Sequence, residues 1–135
     1  MEGTRSDLGH FPADGPKSRE DKVFYRLSEK DGIKMISGDR TPALMSVWCS
    51  NDVIQFGSIK ILAGGAVPQQ TEWDSHPGEA VFYVTDGPMT FFTEDKETFD
   101  VQNGDFMMIP ANKKYKMINY YGHTARALFM VAPKF

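Results

Sequence analysis

Apolar and polar positions alternate in short runs along most of the chain: "KVFYRL", "GIKMIS", "ALMSVWCS", "DVIQFGSIKIL", "AVFYVT", "PMTFFT", "ETFDV", "DFMMIP", "KYKMIN" and "RALFMVAP". The runs are rich in β-branched and aromatic residues and are separated by turn residues, which favours strands over helices. Helical periodicity is weak throughout. "EDK", between "PMTFFT" and "ETFDV", reads as a hairpin loop, and "DG", "GG" and "NGD" mark further turns. The expectation is an all-β domain over residues 22–135, an antiparallel sandwich or barrel, with no second domain or internal repeat. Residues 1–21 are polar, broken by Gly and Pro and nearly devoid of aliphatic side chains, and are expected to form an N-terminal tail or arm outside the core. An arm of this kind can pack through Phe11 on a neighbouring subunit.

Strand parity says which side chains face inward, because successive residues point to opposite faces. In "KKYKMIN" the charged Lys114 and Lys116 are expected to face water, which puts Tyr115, Met117 and Asn119 inside. By the same count Glu72, Asp74 and His76 share one side of their strand, opposite Thr71, Trp73 and Ser75. "EAVFYVTDG" is apolar on both faces, Ala80, Phe82 and Val84 on one and Val81, Tyr83 and Thr85 on the other, as in a strand covered twice or lying at a subunit interface. With Ala80 inward, Glu79 is outward unless Pro77-Gly78 bends the strand and re-aims it.

Composition narrows the function. A chain of 135 residues with 41% hydrophobic and 24% charged residues is an ordinary globular domain. A net charge of -3 gives no general attraction to nucleic acid or to an anionic membrane, which leaves a small molecule or another protein as the partner. No apolar run approaches a membrane span, and the N-terminus lacks the apolar centre of a signal peptide, so a cytoplasmic protein is expected. The only cysteine, Cys49, excludes an intramolecular disulfide and reads as an inert buried thiol.

With these strands placed, the stretch from Gly65 to Asn119 resembles the cupin superfamily of small β-barrels. The first cupin motif, loosely H-x-H-P-x-x-E followed by an apolar run and Gly, is matched by "DSHPGEAVFYVTDG". Asp74 stands at the first ligand His, His76 matches the second, Ala80 falls at the Glu, and Glu79 comes one residue early. The second motif, G-x5-P-x-G-x2-H-x3-N, is matched by "GDFMMIPANKKYKMIN", in which Gly104, Pro110 and Asn119 fit while Asn112 replaces Gly and Tyr115 replaces the ligand His. The resemblance implies a single cupin, or jelly-roll, β-barrel. It leaves the activity open, because cupins range from oxygenases, isomerases and cyclases to sugar-binding and dimerisation domains.

The ligand set the family implies is three His and one Glu around Fe, Mn, Ni or Zn, but of the 3 histidines here, His10, His76 and His123, only His76 falls in a motif. No cofactor is therefore favoured; a bound divalent metal would have Asp74, His76, Glu79 or Glu72, and Tyr115 as ligands, an oxygen-rich set suited to Mn or Mg. Without metal, Asp74 beside His76 favours the charged imidazolium and suits the imidazole to moving a proton near neutral pH, with Tyr115 as donor to a substrate oxygen. That constellation fits a lyase, isomerase or cyclase with Asp74, His76 and Tyr115 as catalytic groups. Glu72, Phe82, Met107, Met117 and Asn119 are the expected substrate contacts. Two alternatives stay open: a non-catalytic ligand-binding or dimerisation module, and a metal-dependent dioxygenase or decarboxylase with an atypical ligand set. Burying Glu72, Asp74 and His76 on one inward face is costly without water or ligand, which points to a pocket. The apolar lining expected from Met107, Met108, Met117, Met130, Phe82, Phe106 and Phe129 favours a small, uncharged, partly apolar ligand. Trp73 and Tyr83 are candidates to cover the interface of a homodimer, an assembly the resemblance also implies.

Overall fold

Every alternating run except "KVFYRL" becomes a strand, as a computed structural model describing residues 8–37, 43–68 and 73–132 shows. The strands are β1 (Ile33–Ser37), β2 (Ala43–Ser50), β3 (Gln55–Ile61), β4 (Ala66–Val67), β5 (Glu79–Asp86), β6 (Met89–Thr93), β7 (Thr98–Val101), β8 (Phe106–Ile109), β9 (Tyr115–Ile118) and β10 (Ala125–Ala132). They form a six-stranded sheet in the order β1-β2-β3-β10-β5-β8 and a four-stranded sheet in the order β4-β9-β6-β7. All pairings are antiparallel, and the two sheets make a jelly roll. No helix among the described residues is long and apolar enough to cross a membrane.

The core is the inward parity of both sheets. Ala43, Met45 and Val47 of β2, Ile59 and Ile61 of β3, Ala80, Phe82 and Val84 of β5, and Phe129 and Val131 of β10 meet Met89, Phe91, Tyr115 and Met117 from the smaller sheet. Sheets packed in this way bury one side chain in two along each strand. β2 carries a bulge between Val47 and Cys49. Opposite it, a Cβ on Gly57 would lie 1.9 Å from the Ser46 carbonyl oxygen, so the backbones approach too closely there for any side chain.

Two segments depart from the sequence expectation. Among the described residues the run "KVFYRL" pairs with no strand, and Val23, Phe24, Tyr25 and Leu27 are exposed. Strand propensity describes fit to a pleated, half-buried surface, and this segment meets none among the described residues. β4 is two residues long, too short to show as a run, and exists through its pairing with β9. Of the N-terminal arm, residues 8–21 are docked on the same chain's barrel. Phe11 and Ser50 exchange backbone hydrogen bonds of 2.9 and 2.8 Å, and Leu8 and Phe11 pack against the core. Helix α1 (Gly15–Asp21) follows, capped by Asp14 and tied by Arg19 to Asp52.

Asn119 points inward, as parity requires, but it anchors the fold rather than a substrate. Fully buried, it donates from Nδ2 to the carbonyls of Ile61 at 2.9 Å and His123 at 2.6 Å, and its Oδ1 accepts from the Tyr121 N–H at 2.9 Å. Its backbone bonds Gly64 and Gly65, so side chain and backbone together join the end of β3 to the turns before β4 and β10. Asn119→Ala is expected to cost about 2–3 kcal/mol of stability, since it removes one buried and two partly buried hydrogen bonds, and the urea midpoint measures it.

Candidate active site

One short backbone pairing builds the site. Asp74 N–H donates to the Tyr115 carbonyl at 3.0 Å and Tyr115 N–H donates to the Asp74 carbonyl at 2.9 Å, an isolated antiparallel bridge before β5. Residues directly opposite across such a pair point to the same face. Asp74 and Tyr115 therefore both enter the barrel, and His76, two residues on, joins them: they are 7%, 2% and 4% exposed, whereas Trp73 on the alternate parity is 44% exposed. The remaining member of the expected row, Glu72, lies outside the described residues. The His76 carbonyl accepts from Asn112 N–H at 2.7 Å, and Asn112 has φ 64, the left-handed conformation that favours the Gly of the motif.

Inside the barrel, Tyr115 Oη and His76 Nε2 share a hydrogen bond of 2.6 Å in which the imidazole tautomer decides the donor. Asp74 Oδ2 lies 3.9 Å from the same nitrogen, close enough to stabilise an imidazolium by charge. Asp74 Oδ1 accepts from the Ser75 N–H at 2.9 Å, which steadies the carboxylate. Phe82 backs the Tyr115 ring at 5.6 Å and in turn packs on Phe91 and Phe129. The arrangement is a hydrogen-bonded imidazole–phenol pair with a neighbouring carboxylate in an apolar, aromatic setting.

The cavity beside the trio is lined by Met45, Ile59, Val67, Phe82, Met117 and Phe129 as well as Asp74, His76 and Tyr115. Its volume is about 10 Å³, which suits roughly one water molecule rather than the larger ligand expected from the sequence. Met45 and Ile59 come from β2 and β3, outside the stretch that carries the resemblance, and Val67 comes from β4 near its start. The inward parity of "ALMSVWCS" is the signal that would have found Met45.

Several expected site residues lie elsewhere. Glu79 is exposed on the outward face of β5 and Ala80 takes the inward position, so Glu79 is no ligand to this site. Met107 stands opposite Phe82 and packs on the core from the side rather than lining the cavity. Phe106, Met108 and Met130 sit on outward parities and are exposed. Lys116 points away from the cavity, as expected, yet is only 8% exposed: it lines an outer groove of about 470 Å³ with Trp73, Phe92 and Glu94. Cys49 is half-buried, and burial raises its thiol above the ordinary value against an opposing hydrogen bond from the Phe56 backbone, which fits an inert thiol.

The donors do not fit the cupin metal set of three His and one Glu. A carboxylate, an alanine and a phenol occupy three of its four positions, and among the described residues no three His, Cys, Asp or Glu are placed to hold a metal ion.

A family profile described as a cupin domain matches residues 60–131. No curated protein matches the chain in sequence. Among solved structures, a predicted oxalate decarboxylase from Thermotoga maritima superposes with a TM-score of 0.66 at 16% identity, covering 81% of this chain and 99% of that one. The polyketide cyclase RemF from Streptomyces resistomycificus gives 0.63 at 18% identity, covering 83% and 81%. Streptomyces PAC13, solved with uridine as a histidine-to-glutamine variant, gives 0.63 at 13% identity, covering 84% and 85%. A tyrosine-to-phenylalanine variant of PAC13 with uridine matches to the same degree.

The left-handed turn that holds His76 can be tested directly. Asn112→Gly is expected to keep stability within about 0.5 kcal/mol of the parent, while Asn112→Val is expected to lose about 1–2 kcal/mol, read from chemical denaturation.

Proposed function

Because the chain belongs to the cupin family, whose barrel hosts many chemistries, we propose that it is a small-molecule enzyme of the lyase, isomerase or cyclase type, working by acid–base catalysis at Asp74, His76 and Tyr115. The observation that carries this reading is the 2.6 Å hydrogen bond between His76 Nε2 and Tyr115 Oη, two proton-exchanging groups buried together. A substrate with an enolisable carbonyl divides that bond. His76 Nε2 takes the proton from the carbon next to the carbonyl, and Tyr115 Oη donates a hydrogen bond to the enolate oxygen. Asp74 offsets the charge gained by the imidazole. The proton then returns to a different carbon, follows a departing group, or passes to the alkoxide formed when the enolate carbon attacks a second carbonyl of the same molecule; these give isomerisation, elimination and ring closure.

Entry of a substrate requires more room than about 10 Å³. Met45 and Met117 provide it in this reading, since unbranched thioether side chains change rotamer more readily than the β-branched or aromatic residues around them. The ligand stays small and partly apolar. The polyketide cyclase RemF, and PAC13 solved with uridine as histidine and tyrosine variants, support a barrel that handles such molecules.

The small cavity favours a second reading, a non-catalytic module whose interior polar trio is structural. Buried polar groups that satisfy one another need no substrate.

A thermal-shift panel of nucleosides and of phenolic and aliphatic ketones separates the two, followed by solvent-deuterium exchange of any hit monitored by NMR. The expected result is a stabilising ligand whose acidic C–H exchanges, with exchange lowered about 100-fold or more in His76→Gln and Tyr115→Phe while both variants stay folded. Exchange that survives in folded His76→Gln removes the role given to His76, and a panel with no stabilising ligand favours the module.

A further inference from the structure

We propose that the groove on the outward face of the four-stranded sheet binds a small, planar aromatic carboxylate, at a site separate from the barrel interior. Register builds it. Phe92 of β6 pairs with Lys116 of β9, and the bridge between Asp74 and Tyr115 sets Trp73, one residue earlier, opposite Lys116. Three adjacent segments thus place an aromatic ring, a lysine and a second aromatic ring in one row. Ile118, two residues beyond Lys116, lines the groove in the next row, and Glu94 and Lys96 stand at its rim in the turn from β6 to β7. Tyr120 meets the Phe92 ring edge-on at 6.3 Å. The groove and the interior cavity share no lining residue among the described ones, because Trp73 and Lys116 take the parity opposite to Asp74 and Tyr115.

Room and chemistry identify the ligand. The groove holds about 470 Å³, within the roughly 300–1,000 Å³ of small-molecule sites, whereas the interior cavity holds about 10 Å³. Trp73 is 44% exposed, and its indole face with the neighbouring Phe92 offers a flat apolar surface on which a ring stacks. Lys116 is 8% exposed, so its aliphatic stem forms part of the wall and its ammonium brings positive charge among aromatic side chains. A carboxylate meets that charge away from bulk water, where a charge-assisted hydrogen bond is stronger than at the open surface. Lys96 adds a second cation at the rim. The carboxylate on the lining, Glu94, is fixed to the turn by accepting from the Lys114 N–H at 2.7 Å, and the adjacent Asp95 pairs with Lys113 at 2.9 Å. Two lysines against one glutamate favour an anion over a cation, and the aromatic row favours a ring over an aliphatic chain. Trp73 and Tyr83, both expected at an interface, lie on different surfaces: Tyr83 belongs to β5 of the six-stranded sheet, Trp73 to this groove.

Cinnamate and its neutral amide, cinnamamide, are the probes, and the two tryptophans of the chain, Trp48 in β2 and Trp73, report where they bind. In a proton–nitrogen correlation NMR spectrum, the indole N–H signal that is missing from Trp73→Phe is expected to move as cinnamate is added up to about 1 mM, while the Trp48 signal stays in place. By calorimetry, cinnamamide is expected to bind the parent protein at least about 10-fold more weakly than cinnamate, and cinnamate to bind Trp73→Ala and Lys116→Met more weakly by a similar factor. Lys96→Ala, at an exposed turn residue, is expected to weaken cinnamate about 3-fold and carries the charge test if Lys116→Met does not fold. A Trp73 signal that stays in place at about 1 mM cinnamate, or moves no more than that of Trp48, overturns the site. Cinnamamide binding as tightly as cinnamate, or cinnamate binding unchanged in the folded lysine variants, overturns the carboxylate as its ligand. None of these measurements involves turnover, so they stand or fall apart from the chemistry assigned to His76 and Tyr115.

Discussion

Two backbone hydrogen bonds between Asp74 and Tyr115 set the register on which the interior chemistry depends. Paired residues of an antiparallel bridge share a face, so the bridge alone sends a carboxylate and a phenol to the same side, and the period of two adds His76. A slip of one residue would replace Asp74 and His76 by Trp73 and Ser75 inside the barrel. The register is defended from both sides: the Asn112 N–H holds the His76 carbonyl, and Phe82 backs the Tyr115 ring. Taking Asp74 and His76 out of water costs free energy that an apolar pair would not, and the short bond from His76 to Tyr115 with the carboxylate nearby offsets part of it.

The alternation of the chain was enough to place nine of the strands and the inward direction of Asp74, His76, Tyr115 and Met117, because parity is a local property once a strand exists. What parity does not contain is the identity of the neighbour. Lys116 shows the difference: it points outward as its position requires, yet Trp73, Phe92 and Ile118 close round it from other segments. Asn119 points inward but meets three backbone groups, from Ile61, Tyr121 and His123, that only the folded chain brings together. Its place in the second cupin motif is thus read here as a fold requirement. The stretch "KVFYRL" fails in the opposite sense, since strand propensity is realised only where a pairing edge and a half-buried surface exist. Cavity size lay wholly beyond the sequence, being set by how Met45, Ile59 and Val67 from three separate strands crowd the trio.

The replaced motif residues have a coherent physical meaning. Asp74 and Tyr115 occupy positions where the family places metal-binding histidines, and instead of converging on a point they bond each other's backbone and surround one imidazole. Ala80 at the acidic ligand position is buried and supplies no fourth donor, and Phe82, next on the same face of the strand, packs beside Tyr115. The site keeps the direction of the family's pocket while changing what the pocket holds: one imidazole hydrogen-bonded to one phenol, with one carboxylate 3.9 Å from the same nitrogen.

β5 connects this interior to the outward face of the larger sheet. Its inward residues, Ala80, Phe82 and Val84, form the wall behind Tyr115, while its outward residues Val81 and Tyr83 lie in the apolar face of the larger sheet. A strand apolar on both parities is favoured when both sides are covered, which the chain alone achieves on only one. Phe82 packs beside the Tyr115 ring from this strand, so the position of the phenol relative to His76 depends on how β5 is seated in the larger sheet.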